Sequence, residues 1–151
     1  MNMVRLIYAS RFVRGVGPND IQKILKVSRK RNEETGVTGV LCYSPDFFLQ
    51  CLEGARMPVN ELYESIMMDE RHAQVTLLEY SDIHQRVFSN WSMAYVRMDE
   101  VTAHILLKFG PTAVFDPFGM TAQQALGFIR EIAEKRHQFL EEERERLVGK
   151  S

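Results

Sequence analysis

Residues 37–54 read VTGVLCYSPDFFLQCLEG. Two runs rich in apolar, β-branched and aromatic residues flank Ser44, Pro45 and Asp46. A short turn between such runs marks an antiparallel hairpin, here with strands at 37–43 and 47–53 and Gly54 closing it. The decisive residue is Gln50. Strand alternation puts it on the same face as Phe48 and Leu52. If helices cover that face, a glutamine amide is buried there. An unpaired buried amide costs about 1–3 kcal/mol, so it must have partners. Its two donors and one acceptor can serve a ligand or protein groups alike. Bonding only to neighbouring backbone at a sheet edge is the structural alternative.

Upstream, residues 3–9 (MVRLIYA) read as a strand with Val4, Leu6 and Tyr8 on one face and Arg5, Ile7 and Ala9 on the other. A tyrosine in such a strand ordinarily buries its ring and finds its hydroxyl one acceptor. It can also face a strand carrying Gln50 and form a phenol–amide pair. Gly15, Gly17 and Pro18 mark a loop, and Asn19 or Asp20 can cap a helix running to about Glu34. Its stripe begins apolar at Ile21, Ile24 and Leu25 and turns polar at Ser28 and Asn32. Asn32 is open to two readings: a helix-end cap, or a donor and acceptor presented to a ring edge bearing N–H and C=O. Gly36 ends the helix.

Downstream, Pro58 suits the first turn of a second helix, whose apolar face is Val59, Leu62, Tyr63, Ile66 and Met67. Asp69, Arg71 and His72 follow it, and read as solvated helix-end charges on spacing alone. Strands are expected at 75–80 and 93–98, with Trp91 and Met93 at the start of the latter. The order β-α-β-β-α-β-β implies an α+β domain, two helices on one face of a mixed five-stranded sheet. Beyond it, residues 101–109 suit a short helix and 111–119 a linker. Thr121 and Gln124 form a capping-box pattern for a helix from about 125 to 147, with apolar Leu126, Ile129, Ala133 and Leu140 and a charged end at 141–146.

The 151 residues carry 19 basic and 20 acidic side chains, a net charge of -1. That balance offers no field toward nucleic acid or an anionic membrane. Cys42 and Cys51 lie in apolar runs outside any zinc or C-x-x-C spacing, and read as reduced, buried thiols. With neither a signal-peptide pattern nor an apolar run near the ~20 residues of a membrane span, a cytoplasmic protein is expected. No catalytic set emerges: the four histidines lack ligand spacing, and G-x-S-x-G, P-loop and G-x-G-x-x-G patterns are missing.

Taken in order, the segments LIYAS at 6–10, Asn32, TGVTGVL at 35–41, FLQCLEG at 48–54, DERH at 69–72 and WSM at 91–93 resemble the BLUF domains, blue-light sensors that use FAD. The resemblance covers about residues 1–98 and implies a ferredoxin-like sheet, with 99–151 as a helical cap. It implies a non-covalent flavin between the two helices, walled by Ile24 and Ile66, with Leu41 and Phe48 lining the pocket. Asn32 would bond the pyrimidine edge, and Arg71 and His72 would lie near a flavin carbonyl or its tail. Ser28, Arg31 and Asp69 complete the implied cofactor set. Arg31 departs from the neutral or histidine residue other members carry, which alters contacts without abolishing binding. Tyr8 would be the electron and proton donor and Gln50 the relay, with Trp91 and Met93 passing the change on. A stand-alone sensor acting on a downstream partner protein, and a homo-oligomer, follow. Two other readings share the topology. An acylphosphatase-like enzyme would need an anion loop that Gly15 and Gly17 match only loosely. A ferredoxin-like interaction module without flavin is disfavoured by Tyr8, Asn32 and Gln50 occurring together.

Overall fold

A computed structural model describes residues 2–13, 17–91, 93–101 and 103–148, and at Pro18, Glu100 and 137–146 the backbone alone. The expected loop position Gly15, Ser92, and the side chains of Leu140 and of the charged end at 141–146 lie outside what it describes. The elements are β1 (Met3–Phe12), α1 (Pro18–Thr35), β2 (Thr38–Tyr43), β3 (Phe47–Ala55), α2 (Arg56–Met68), β4 (His72–Ile83), β5 (Ala94–Arg97), α3 (Ala103–Phe109) and α4 (Ala122–Val148).

The sheet order is β4-β1-β3-β2-β5. Every neighbouring pair is antiparallel except β2 and β5, which run parallel. This is the mixed, five-stranded ferredoxin-like α+β sheet expected. The hairpin closes as read: the Ser44 side chain accepts from the amides of Asp46 and Phe47, at 3.3 and 3.0 Å. β3 sits in the middle, and β1 pairs with it from Met3 against Ala55 to Arg11 against Phe47.

Alternation along these buried strands sorts the core into two halves. Val4, Leu6, Tyr8, Leu41, Phe48 and Leu52 face α1 and α2, packing on Ile21, Leu25, Val59 and Leu62. Ile7, Val40, Cys42, Leu49 and Cys51 face the other way, onto Phe128, Ile129, Ile132 and Ala133 of α4. Both cysteines are free thiols, and burial pushes them well above the usual thiol range.

Several boundaries differ from the sequence reading. The N-cap of α1 is Gly17, with Pro18 as first helical residue; Asp20 instead accepts from the Gly17 amide at 2.9 Å. A proline at that position needs no amide partner and presets the helical φ, which displaces the cap from Asn19. Gly36 does end the helix, in the left-handed conformation at φ 75°. β3 runs through Gly54 to Ala55, because β1 extends its ladder that far. β4 covers Residues 72–83 rather than 75–80, although half its side chains are polar; pairing with β1 supplies what apolar alternation does not. α4 starts at Ala122, since the capping box works there: the Thr121 amide donates to Gln124 Oε1 at 2.9 Å, and the Gln124 amide to Thr121 Oγ at 3.1 Å.

Candidate functional site

β1 and β3 bring Tyr8 and Gln50 together as direct cross-strand partners. Tyr8 is 1 % exposed and Gln50 6 %. The tyrosine hydroxyl donates to Gln50 Oε1. Burial pushes the phenol well above its ordinary range, so it holds its proton. The other end of the amide, Nε2, lies 3.3 Å from the sulfur of buried Met93. The glutamine thus bonds to side chains rather than to edge backbone.

Tyr8, Gln50, Leu41 and Phe48 form the floor of a groove of about 250 Å³ between α1 and α2. Ile24 on α1 and Ile66 on α2 are its apolar walls, joined by Leu62. Ser28 and Arg31 line it from α1, and Asp69, Arg71 and His72 from the end of α2 and the start of β4. Arg31 reaches across to α2, donating to the Ser65 hydroxyl at 3.3 Å.

The charged group after α2 is ordered by its own contacts. Arg71 grips Asp69 through Nε at 3.0 Å and Nη2 at 2.6 Å. The guanidinium hydrogen bonds hold the Asp69 carboxyl below the usual carboxylate range. His72 sits 2.8 Å from Ser10 Oγ through Nδ1, with its ring against Phe48. Burial lowers its pKa from 6.5 to about 4, so its imidazole is neutral at pH 7. These three residues line the groove, with the Arg71 side chain still 40 % exposed at its edge.

Asn32 is buried at 1 % exposure, at the polar end of the α1 stripe. Its backbone carbonyl accepts from the Gly36 amide at 2.8 Å within the last turn of the helix, and the cap itself is Gly36, so Asn32 is a buried position inside α1 and not its end cap. Trp91 and Met93 part company. Met93 is on Gln50, whereas Trp91 is half-buried and stacks on Phe88. Both line a second cavity of about 350 Å³, with Arg29, Tyr95 and Arg136. Lys23, Val27 and Ser65 also line the groove and were not singled out in the sequence. The signal for the first two was helical spacing: Lys23, Val27 and Arg31 recur at i, i+4 and i+8.

These residues fit a flavin dinucleotide. A planar ring needs two facing apolar walls, and Ile24 and Ile66 supply them. Its heteroatom edge needs donors and acceptors in a dry place, and Gln50 and the Tyr8 hydroxyl supply them on the groove floor; Asn32 is buried nearby on α1 but is not among the residues that line the groove. Its phosphates need cations at the mouth, where Lys23, Arg31 and Arg71 stand. Among the described residues no group of His, Cys, Asp or Glu is placed to hold a metal ion, and no helix is long and apolar enough to cross a membrane.

The comparisons with known proteins point the same way. A photoactivated adenylate cyclase subunit beta from Euglena gracilis is 32% identical over 109 residues, 71% of this chain. The chain spans only 13% of that relative's length. The solved photo-activated state of BlsA matches with TM-score 0.76 and 34% identity, over 85% of this chain and 93% of that one. The dark state of BlrB, a BLUF protein, matches with TM-score 0.72 and 29% identity, over 86% and 93%. Residues 3–94 match the family model described as sensors of blue-light using FAD, and the chain belongs to this BLUF family.

Proposed function

We propose that this chain binds FAD non-covalently in the groove between α1 and α2 and reports blue light through Tyr8 and Gln50. The observation that carries the reading is the buried chain that runs from the Tyr8 hydroxyl and Gln50 amide on the groove floor to the Met93 sulfur behind it. When bound and excited, the flavin supplies a strong one-electron oxidant. On this chain Tyr8 is the group that gives up an electron, and its phenol proton leaves along the bond to Gln50 Oε1. Gln50 would take that proton at its oxygen and pass one from its nitrogen to the flavin that had taken the electron, because an amide carries both functions. When the electron and proton return to Tyr8, no net oxidation remains. What persists is a rearranged Gln50 side chain, whose new hydrogen bonding shifts absorption slightly to the red.

In this reading Ile24, Ile66, Leu41 and Phe48 hold the ring, Asn32 bonds its polar edge, and Ser28, Arg31, Asp69, Arg71 and His72 order the groove mouth. Rearrangement of Gln50 changes its bond to Met93, and Trp91, two residues away, passes the change on. Residues 1–98 are then the sensing unit and 99–151 a cap, through which a partner protein is engaged. Solved relatives include a bacterial light-regulated adenylyl cyclase and BlrP1 of Klebsiella pneumoniae in complex with cyclic diGMP. For this chain the output is a change of shape offered to a separate protein. A homo-oligomer in the cytoplasm completes the proposal, and light scattering on lit and dark samples tests the assembly.

Absorption of the purified protein tests the function. A yellow preparation with a flavin band is expected. A preparation that stays colourless after incubation with FAD would overturn it.

A further inference from the structure

The segment joining β4 to β5 has to cross the sheet, because those strands form its two edges. Four inter-strand steps span roughly 19 Å. Residues 84–93, fully extended, would reach roughly 33–36 Å. The crossing therefore has slack, and specific contacts must fix its path. It runs over the face that α4 covers: Phe88 is buried in the cluster of Phe128 and Ile129, with Val87 and Trp91 packed against it.

The anchor in the middle of this path is Glu53. Its carboxylate is fully buried, and both oxygens are used. Oε1 accepts from the amides of Val87 at 3.0 Å and Phe88 at 2.7 Å. Oε2 accepts from Arg5 Nε at 3.0 Å and Nη2 at 2.9 Å. Beyond the anchor, the Trp91 carbonyl accepts from Gly39 at 3.1 Å, and Arg29 holds the Met93 carbonyl at 3.1 Å.

A purely structural ion pair between β1 and β3 is the simpler account, and it falls short. Those strands already pair along nine residues of register, and a buried carboxylate costs several kcal/mol to desolvate. What the ladder cannot do is hold the amides of Val87 and Phe88. Glu53 also lies three residues after Gln50 on the same strand, so the two side chains point to opposite faces. β3 carries the glutamine on one face and the anchor of the crossing on the other. The crossing returns to Gln50 at its end, through Met93.

We propose that Glu53 is a positioning residue for the light response: it pins the crossing at Val87 and Phe88, so that movement of Gln50 against Met93 is concentrated in the short stretch around Trp91. This rests on the reading of Gln50 as the group that moves. Without the pin, the stretch between Arg86, held on Gly36 and Thr38, and Trp91, held by the Gly39 amide, is free to absorb the displacement.

The test uses the FAD-loaded full chain as wild type and Glu53→Gln. Trp91 is the chain's one tryptophan, so its emission, lit minus dark, reports the local change directly. The variant is expected to stay yellow and keep the wild-type red shift, because the photochemical pair is on the other face. Its light-dependent Trp91 emission change should fall to less than about half, and the Val87 and Phe88 amides should exchange about tenfold faster. Wild-type emission change and wild-type amide protection in Glu53→Gln would overturn the proposal. Should that variant fail to fold, hydrogen exchange on the wild type decides. The two anchored amides are expected to stay protected in the dark and in the light, while the Gly39 amide, which donates to the Trp91 carbonyl, loses protection on illumination. A uniform change across 84–91 would overturn it. A wild type with no red shift would sink the photochemical reading as well, which separates the two failures.

Discussion

Gln50 stands between Tyr8 and Met93, taking a hydrogen bond from the phenol at Oε1 and setting Nε2 3.3 Å from the thioether sulfur. Both ends of one amide are thus committed, in a place with almost no access to water. Tyr8→Phe strands the amide oxygen, and Gln50→Leu strands the phenol. Each is expected to cost about 1–3 kcal/mol in urea unfolding. The double variant should cost less than the sum by about 1 kcal/mol, because the second change removes the group left unpaired by the first. Strict additivity would show that the pair does not interact.

Met93→Leu keeps the volume and removes the sulfur that faces the Gln50 amide. Stability should change by less than about 1.5 kcal/mol. The dark recovery rate after blue light should change by about two- to tenfold, the kinetic equivalent of one modest hydrogen bond. An unaltered recovery rate would place Met93 outside the response.

His72 gives the protein a defined pH dependence. Its pKa falls from 6.5 to about 4 in the folded chain, chiefly through burial. Between those values the unfolded chain binds a proton that the folded chain refuses. The stabilisation is complete above 6.5 and declines as pH drops toward 4. Between pH 7 and pH 5 the wild type should lose about 2 kcal/mol more than His72→Gln. Equal losses in urea titrations would contradict the assignment.

Gly39 has no room for a methyl group, because a Cβ there would run into the Cys51 carbonyl oxygen on the paired strand. The obstacle is backbone, which cannot rotate away. Gly39→Ala is expected to cost about 3 kcal/mol or more, or to leave no folded protein, by circular dichroism and thermal melting. A melting temperature near wild type would contradict the β2–β3 packing.

Much of this was legible in the residues. The hairpin at 37–54 and the alternation of residues 3–9 placed Tyr8 and Gln50 on one face, and the register makes them partners. The α1 stripe named Ile24, Ser28 and Asn32 because helical spacing survives its change from apolar to polar. Two things were not legible. Which of Trp91 and Met93 meets Gln50 depends on where an irregular crossing turns onto a four-residue strand, and no periodicity encodes that. Glu53 went unremarked although a charge inside an apolar strand is conspicuous. Its meaning lies in amides more than thirty residues away, which only the fold brings near. The signal in the sequence was Arg5, a second charge inside an apolar strand.

The central claim is that Tyr8 drives a rearrangement of Gln50 beside a bound flavin. Light-minus-dark absorbance of the FAD-loaded wild type and Tyr8→Phe tests it most directly. The wild type should show a small, reversible red shift of the flavin band, and Tyr8→Phe should stay yellow and show none. A wild-type red shift in Tyr8→Phe would contradict the account.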